Sequence, residues 1–213
     1  MSTAAGHARP HPGPDRPRRP LRVAALAGTL GLLGCFGSPA ADEFYYVLAA
    51  PAQGRNAAQG PTLALMPLQV APGYESQRLV YRGSEHELRY YGYRRWAAEP
   101  GELVTRALMR HLRASGHFAR VDDETHLPQA GGQLSGTIEA IEELDRGDAT
   151  YARLAATLLL QRPDGTVLLR HDFDETRPCR TRDPRQVVAL LSQILADQAA
   201  RLAPRAAGAL RHP

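Results

Sequence analysis

The 213-residue chain contains no lysine; all 26 of its basic residues are arginine. That reflects the base composition of the coding sequence, not a chemical requirement. Cysteine is nearly absent too. Cys35 and Cys179 are the only two, too few for a disulfide framework. No apolar run approaches the roughly 20 residues that a membrane-crossing helix needs. The sequence has no Gly-x-Ser-x-Gly elbow of the kind that presents a serine nucleophile, and no glycine-rich loop to cradle a phosphate. His86-Glu87 opens like a His-Glu-x-x-His zinc motif, but Tyr90 stands where the second histidine is needed and the other histidines are scattered. The sequence therefore assigns no catalytic residue, no metal and no diffusible cofactor.

Residues 1–22 are rich in Pro, Gly, Ala and Arg and show no apolar period, so this stretch is not expected to fold. Arg9, Arg16, Arg18, Arg19 and Arg22 face a single acid, Asp15. An uncharged run, Val23 to Leu33, follows. A basic leader, an apolar core of about ten residues and a small residue before a cut site together make a secretory signal peptide. A twin-arginine signal at Arg18-Arg19 is the weaker reading, because Pro20-Leu21 does not continue that pattern.

Leu32-Leu33-Gly34-Cys35 closes the run and resembles a bacterial lipobox. The resemblance implies a signal peptide over 1–34, cleavage between Gly34 and Cys35, and a diacylglycerol and an N-acyl chain on Cys35. One acyl chain binds a bilayer marginally, whereas two or more hold firmly, at roughly 0.8 kcal/mol per buried methylene. Phe36, where an inner-membrane retention signal has Asp, resembles an outer-membrane address with the domain facing the periplasm. Residues 35–43 then form the acylated cysteine and a tether, and the seven residues from Gly37 to Glu43 reach at most ~25 Å. Cleavage leaves 213 less 34, or 179 residues, enough for one core. It also removes five basic residues and one acid, so that 21 of each remain. The mature chain is neutral and carries no nucleic-acid signature.

The mature sequence reads as alternating strand and helix signals. Phe44 to Leu48 and Thr62 to Val70 form strands, the second containing Pro67. Arg78–Arg82 and Glu87–Tyr91 flank a short polar turn and predict a hairpin. Pro100 to Ser115 is an amphipathic helix with proline in its first turn and Gly116 beyond its end. Phe118–Val121, Leu134–Leu144, Tyr151–Gln161 and Thr166–Phe173 are strands, the last two joined at Asp164-Gly165. Asp183 caps a final helix, with Pro184 at its first position and Pro204 at its end. The expected class is α+β: a largely antiparallel or mixed sheet with two main amphipathic helices packed on it. The domain spans 44–203, and 204–213 is a flexible tail. The acidic run Glu139, Glu142, Glu143, Asp145 and Asp148 reads as a solvated strand end and turn. Cys179 has no intrachain partner and reads as a buried thiol, with pairing between chains as the alternative.

Four stretches, taken in order and spacing, carry a family resemblance: "FYYVLAAP", "RLVYRGSEHELRYYGYRRWAAEP", "ELVTRALMRHLRASGHFARV" and "GGQLSGTIEAIEEL". Together they resemble the ABC-type transport auxiliary lipoproteins, the paraquat-inducible lipoprotein C-like proteins, over roughly Phe44 to Ala203. The resemblance implies a fold like the amino-terminal domain of TolB. It also implies a non-enzymatic part in lipid movement between the two bacterial membranes, beside an MCE-domain periplasmic protein and an inner-membrane permease or ATPase. A homo-oligomeric ring would suit the end of an MCE tube.

Tyr and Arg side chains are the residues that dominate interface energetics. Tyr81, Arg82, Tyr90, Tyr91, Tyr93, Arg94 and Arg95 are accordingly the candidate partner-binding set, with Trp96 in the core. An assembly factor for an outer-membrane β-barrel, as in lipopolysaccharide export, is the main alternative function. A periplasmic hydrolase is a third, for which the sequence supplies no nucleophile and base.

Overall fold

The structure, a computed structural model, describes residues 42–51 and 59–211. Gly34 and Cys35, with the signal peptide and most of the tether, lie outside the described residues. Among the described residues nine strands and two helices follow in the order β1 (Phe44–Tyr46), β2 (Thr62–Leu65), β3 (Gln69–Val70), β4 (Arg78–Ser84), β5 (Glu87–Trp96), α1 (Pro100–Ala114), β6 (Arg120–Asp123), β7 (Gly132–Arg146), β8 (Ala149–Gln161), β9 (Val167–Pro178) and α2 (Pro184–Arg211).

Strand β7 is the spine. One edge pairs antiparallel with β8 along its whole length, and β8 pairs antiparallel with β9. Both turns need a residue in the left-handed region, and glycine supplies it: Gly147 at φ 61° and Gly165 at φ 87°. The other edge of β7 is shared. Leu63 to Leu65 of β2 run parallel to its start, Gln69 and Val70 of β3 to its middle, and Val80 to Arg82 of β4 to its end. Strand β6 extends the sheet beyond β2, while β5 and then β1 extend it beyond β4. The expected class holds: α+β, a mixed sheet and two helices. The expected single strand from Thr62 to Val70 is two strands, broken around Pro67, which has no N–H to give a ladder.

Both helices bury apolar stripes. In α1 these are Val104, Ala107, Leu108 and Leu112, and in α2 they are Val187, Val188, Leu191, Ile194, Leu195 and Leu202. They meet Leu134, Ile138, Ile141, Leu154, Leu158 and Leu160 of the sheet in one continuous core. Helix α1 begins tight against the β2–β3 link. Thr105 Oγ1 accepts from the Leu68 amide at 3.0 Å and donates to the Gly101 carbonyl at 2.7 Å. A β-carbon on Gly101 would lie 2.7 Å from the Leu68 carbonyl oxygen. The Asp183 side chain accepts from the Arg185 amide at 2.9 Å and caps α2 as its sequence predicts.

The expected tail from 204 to 213 is a correction: α2 continues through Pro204 to Arg211. Proline removes the bond to the carbonyl of Ala200, four residues back. Ala200 and Pro204 both face solvent, where water can take that carbonyl. The residues beyond it are packed. Ala206 and Ala207 are fully buried, and Leu210 closes over Gly132 at the start of β7.

Candidate interaction surface

The Tyr/Arg cluster lies where β4 and β5 join the far half of β7. A register shift between Ile138 and Ala140 prepares it. Ile138 pairs with Ala156 and, past the bulge, Ile141 pairs with Leu154, so the apolar residues stay on one face. Glu142 is thereby turned to the opposite face and Glu143 to the face of Ile141. Neither is solvated as the sequence suggested: Glu142 is 1% exposed and Glu143 is 5% exposed.

Glu142 is the hub of a closed network. Its Oε2 accepts from Tyr74 Oη at 2.6 Å and from Arg82 Nε at 3.0 Å, and its Oε1 accepts from Arg153 Nη1 at 2.8 Å. Arg82 Nη2 also donates to Tyr74 Oη at 2.6 Å. Arg153 spans onward to Asp174 with two bonds of 2.8 Å. Burial and the bond to Glu142 push the Tyr74 phenol up to about 12. A buried carboxylate with every oxygen answered is tolerable; one left without partners costs several kcal/mol.

Glu143 has a smaller circle. Tyr91 Oη lies 3.0 Å from both carboxylate oxygens, and the Tyr91 ring packs on Tyr81 with centroids 5.0 Å apart. Burial raises the carboxyl above its usual range, while the Tyr91 bond and the nearby Arg94 and Arg182 charges draw it back. The half-buried Cys179 lies near this carboxylate. Burial first, and Glu143 second, push its thiol up, which suppresses the reactive thiolate.

The predicted binding set therefore divides. Tyr81, Arg82 and Tyr91 are tied into the fold, and Trp96 is 1% exposed in the core. Arg94 donates to Tyr46 Oη at 2.7 Å, with its guanidinium 5.0 Å over the Phe44 ring. Arg95 pairs with Glu43 at 3.0 Å. Tyr90, whose hydroxyl donates to the Gly73 carbonyl at 3.0 Å, and Tyr93 face solvent. Sequence reasoning missed Tyr74, Glu142 and Arg153. The buried-strand position of two adjacent glutamates beside Ile141 was the available signal.

Two further groupings are chemically plain. Asp122, Asp123 and His126 bring ligand atoms within 4.8 Å of one another. However, Arg113 and Arg120 engage Asp122 and His126 Nδ1 engages Asp123, making a surface salt-bridge cluster. A cleft of about 580 Å³ beside the start of α1 is lined by Leu68, Val70 and Met109 with Glu75, Glu99 and Glu102. Asp123, Arg106 and the Thr105 hydroxyl, which is bonded to Leu68 and Gly101, complete its polar lining. No helix among the described residues is long and apolar enough to cross a membrane.

Comparison with known proteins agrees with this architecture. The family model described as "ABC-type transport auxiliary lipoprotein component" matches residues 46–203. A crystal structure of a Xanthomonas campestris protein superposes with a TM-score of 0.64 at 20% identity, covering 75% of this chain and 92% of that one. A second crystal structure, of an uncharacterized protein, gives 0.64 at 17% identity, covering 76% and 97%. The PelC dodecamer from Paraburkholderia phytofirmans gives 0.47 at 19% identity, covering 73% and 94%. No curated protein matches the chain at a significant level.

Proposed function

Because the chain belongs to the ABC-type transport auxiliary lipoprotein family, we propose that it is a non-enzymatic accessory subunit of an intermembrane lipid-transport system. Cys35, carrying its acyl chains, holds the domain at the periplasmic face of the outer membrane. The domain docks the outer-membrane end of an MCE assembly, and an inner-membrane permease and ATPase supply the energy. A homo-oligomeric ring would match the rotational symmetry of a tube end.

The observation that carries this reading is the family match across 46–203. The geometry supports it. The Glu142 network ties β4 of the β4–β5 hairpin to β7 and β8, and the exposed residues toward the hairpin tip, His86, Arg89 and Tyr90, sit on that braced hairpin. Preorganised aromatic and arginine groups lose little entropy on binding.

A photo-crosslinking residue in place of Tyr90, in native membranes, tests the reading. An MCE-domain protein among the adducts is expected. Capture of an outer-membrane β-barrel with no MCE protein would replace this reading with barrel assembly.

A further inference from the structure

The open edge of the sheet at β1 and the end of β5 is not used by the hairpin tip. Strand β1 is the outermost strand on this side and pairs parallel with β5, Phe44 with Arg94, Tyr45 with Arg95 and Tyr46 with Trp96. Side chains alternate along a strand. Tyr46 and Trp96 therefore point into the core, and Tyr45 lies on the opposite face. Tyr93, in the stretch of β5 where the register with β4 is interrupted, and Val47, which directly follows β1, are exposed beside it. These are the three most exposed large hydrophobic residues on this edge: Tyr45 60%, Val47 61% and Tyr93 57%. Arg78 pairs in register with Arg95 at its border.

We propose that this edge rests on the headgroup layer of the phospholipid bilayer, with Tyr45, Val47 and Tyr93 in the interfacial zone and Arg78 and Arg95 at phosphate level. The proposal rests on the Cys35 anchor of the proposed function. Three features select a bilayer as the occupant.

The chain enters β1 directly from the tether. Six residues lie between Cys35 and Asp42, a span of at most ~25 Å even when extended. The edge is thus the described part of the protein closest in chain to the membrane.

The side chains also suit that zone. Phenols have an apolar ring and a polar tip, which favours the boundary between hydrocarbon and water. Guanidinium forks match phosphate oxygens; Arg95 already gives its Nε to Glu43 at 3.0 Å, so phosphates would meet Arg78 and the Nη atoms of Arg95.

The third feature is length. Strand β1 has three residues, a poor template for a partner strand, since strands in stable sheets average five or six. A second copy adding edge to edge is correspondingly disfavoured.

The test uses the mature chain from residue 35 to 213 carrying Cys35→Ala, so that no acyl chain contributes. It is mixed with sucrose-loaded vesicles of phosphatidylethanolamine and phosphatidylglycerol and sedimented. Weak but measurable binding is expected, reduced about tenfold or more by Tyr45→Ser with Tyr93→Ser, with an unchanged melting temperature. Val47→Asp, a single change at an exposed position, should act in the same direction. Sedimentation equal in parent and variants would overturn the proposal. So would a concentration-dependent dimer that the double change dissociates, which would assign the edge to a second copy. Mass spectrometry of the wild-type protein extracted from membranes reads Cys35 acylation separately. An unmodified Cys35 alongside intact vesicle binding would defeat the anchor and leave the edge standing, and the reverse pair would do the opposite.

Discussion

Tyr91 and Tyr93 are two residues apart on β5, and the fold uses them in opposite ways. Tyr91 is half-buried, stacked on Tyr81 and bonded to the Glu143 carboxylate. Tyr93 is 57% exposed. The same contrast runs through the whole cluster. Its interior, Tyr74, Arg82, Tyr91, Glu142, Glu143 and Arg153, is a set of polar groups answering one another in low dielectric. Its rim, Tyr45, Val47, Tyr90 and Tyr93, has area to offer and few internal duties. A composition rich in Tyr and Arg thus conflates two jobs, bracing a sheet where no helix covers it and meeting something outside.

The largest separation between interior and rim should come at Glu142. Glu142→Ala leaves Arg82, Arg153 and the Tyr74 hydroxyl without their shared acceptor, and a cost of about 3 kcal/mol is expected. Glu142→Gln preserves the shape but not the charge and should cost less. Urea unfolding of the Cys35→Ala mature chain measures both. If Glu142→Ala shifts stability no more than an ordinary surface change, roughly 0.5 kcal/mol, the network is not the brace described here.

Next in size is the end of α2. Truncation after Pro204 removes the buried Ala206 and Ala207, the Leu210 contact with Gly132 and the bond from Arg205 to His171. A loss of about 2 kcal/mol is expected from the apolar area alone. A truncated protein as stable as its parent would restore the reading of these residues as a tail.

That tail shows what the sequence could and could not convey. Most elements were legible because their signals are local: Pro100 and Asp183 at helix starts, Asp164-Gly165 between strands, and apolar stripes at helical spacing. Pro204 misled because its effect depends on which way it faces. The stripe Leu202, Ala203, Ala206, Ala207, Leu210 runs on past it, with Pro204 on the wet side. Glu142 and Glu143 misled for another reason. The residues that bury Glu142, Tyr74 and Arg82, are 68 and 60 positions away, and the bulge beside Glu139 resets which face each glutamate takes. The parallel pairings of β1, β2, β3 and β4 are likewise set by tertiary packing, which alternation within a strand cannot reveal. Trp96 was recognisable as a core residue. That Tyr81, Arg82 and Tyr91 brace the sheet was not, because interface chemistry and bracing chemistry use the same side chains.

A middle-sized effect should appear with pH, away from the cluster. His171 is buried, its Nε2 lies 3.0 Å from Gln198 Oε1, and Arg205 Nη1 lies 3.0 Å from its Nδ1. An arginine can only donate, so Nδ1 accepts and the ring is neutral with its proton on Nε2. Burial chiefly, with Arg205 and Arg201 adding, lowers the imidazole below 6.5, against smaller opposing pulls from the Gln198 bond and Asp172. The unfolded chain then binds the proton more readily than the fold. Stability from this group is complete above about pH 6.5 and declines as pH falls toward the lowered value, by at most ~1.4 kcal/mol per pH unit. Glu143 works in the opposite sense. Its raised carboxyl holds a proton more readily in the fold, so protonation there adds stability as the pH drops toward 4.5. The difference in unfolding free energy between wild type and His171→Phe, followed from pH 7.5 to 5.0, isolates the histidine. A difference that does not change with pH would show that His171 titrates alike in folded and unfolded chains.

The smallest stability effects should fall at the rim, and their smallness is the point. Tyr45→Ser and Tyr93→Ser remove side chains that are mostly in water, so each should move unfolding by less than about 0.5 kcal/mol. The Tyr45 hydroxyl donates to Glu43 at 2.6 Å, but both groups are exposed and water replaces such a bond at little cost. Tyr91→Ser, on the same strand, removes a ring packed on Tyr81 and a hydroxyl 3.0 Å from both Glu143 oxygens, and should cost about 2 kcal/mol or more. Thermal melts of the three variants side by side would rank them. If Tyr93→Ser destabilised the fold as much as Tyr91→Ser, the division between bracing interior and working rim would collapse. The exposed edge would then need a structural explanation in place of a membrane.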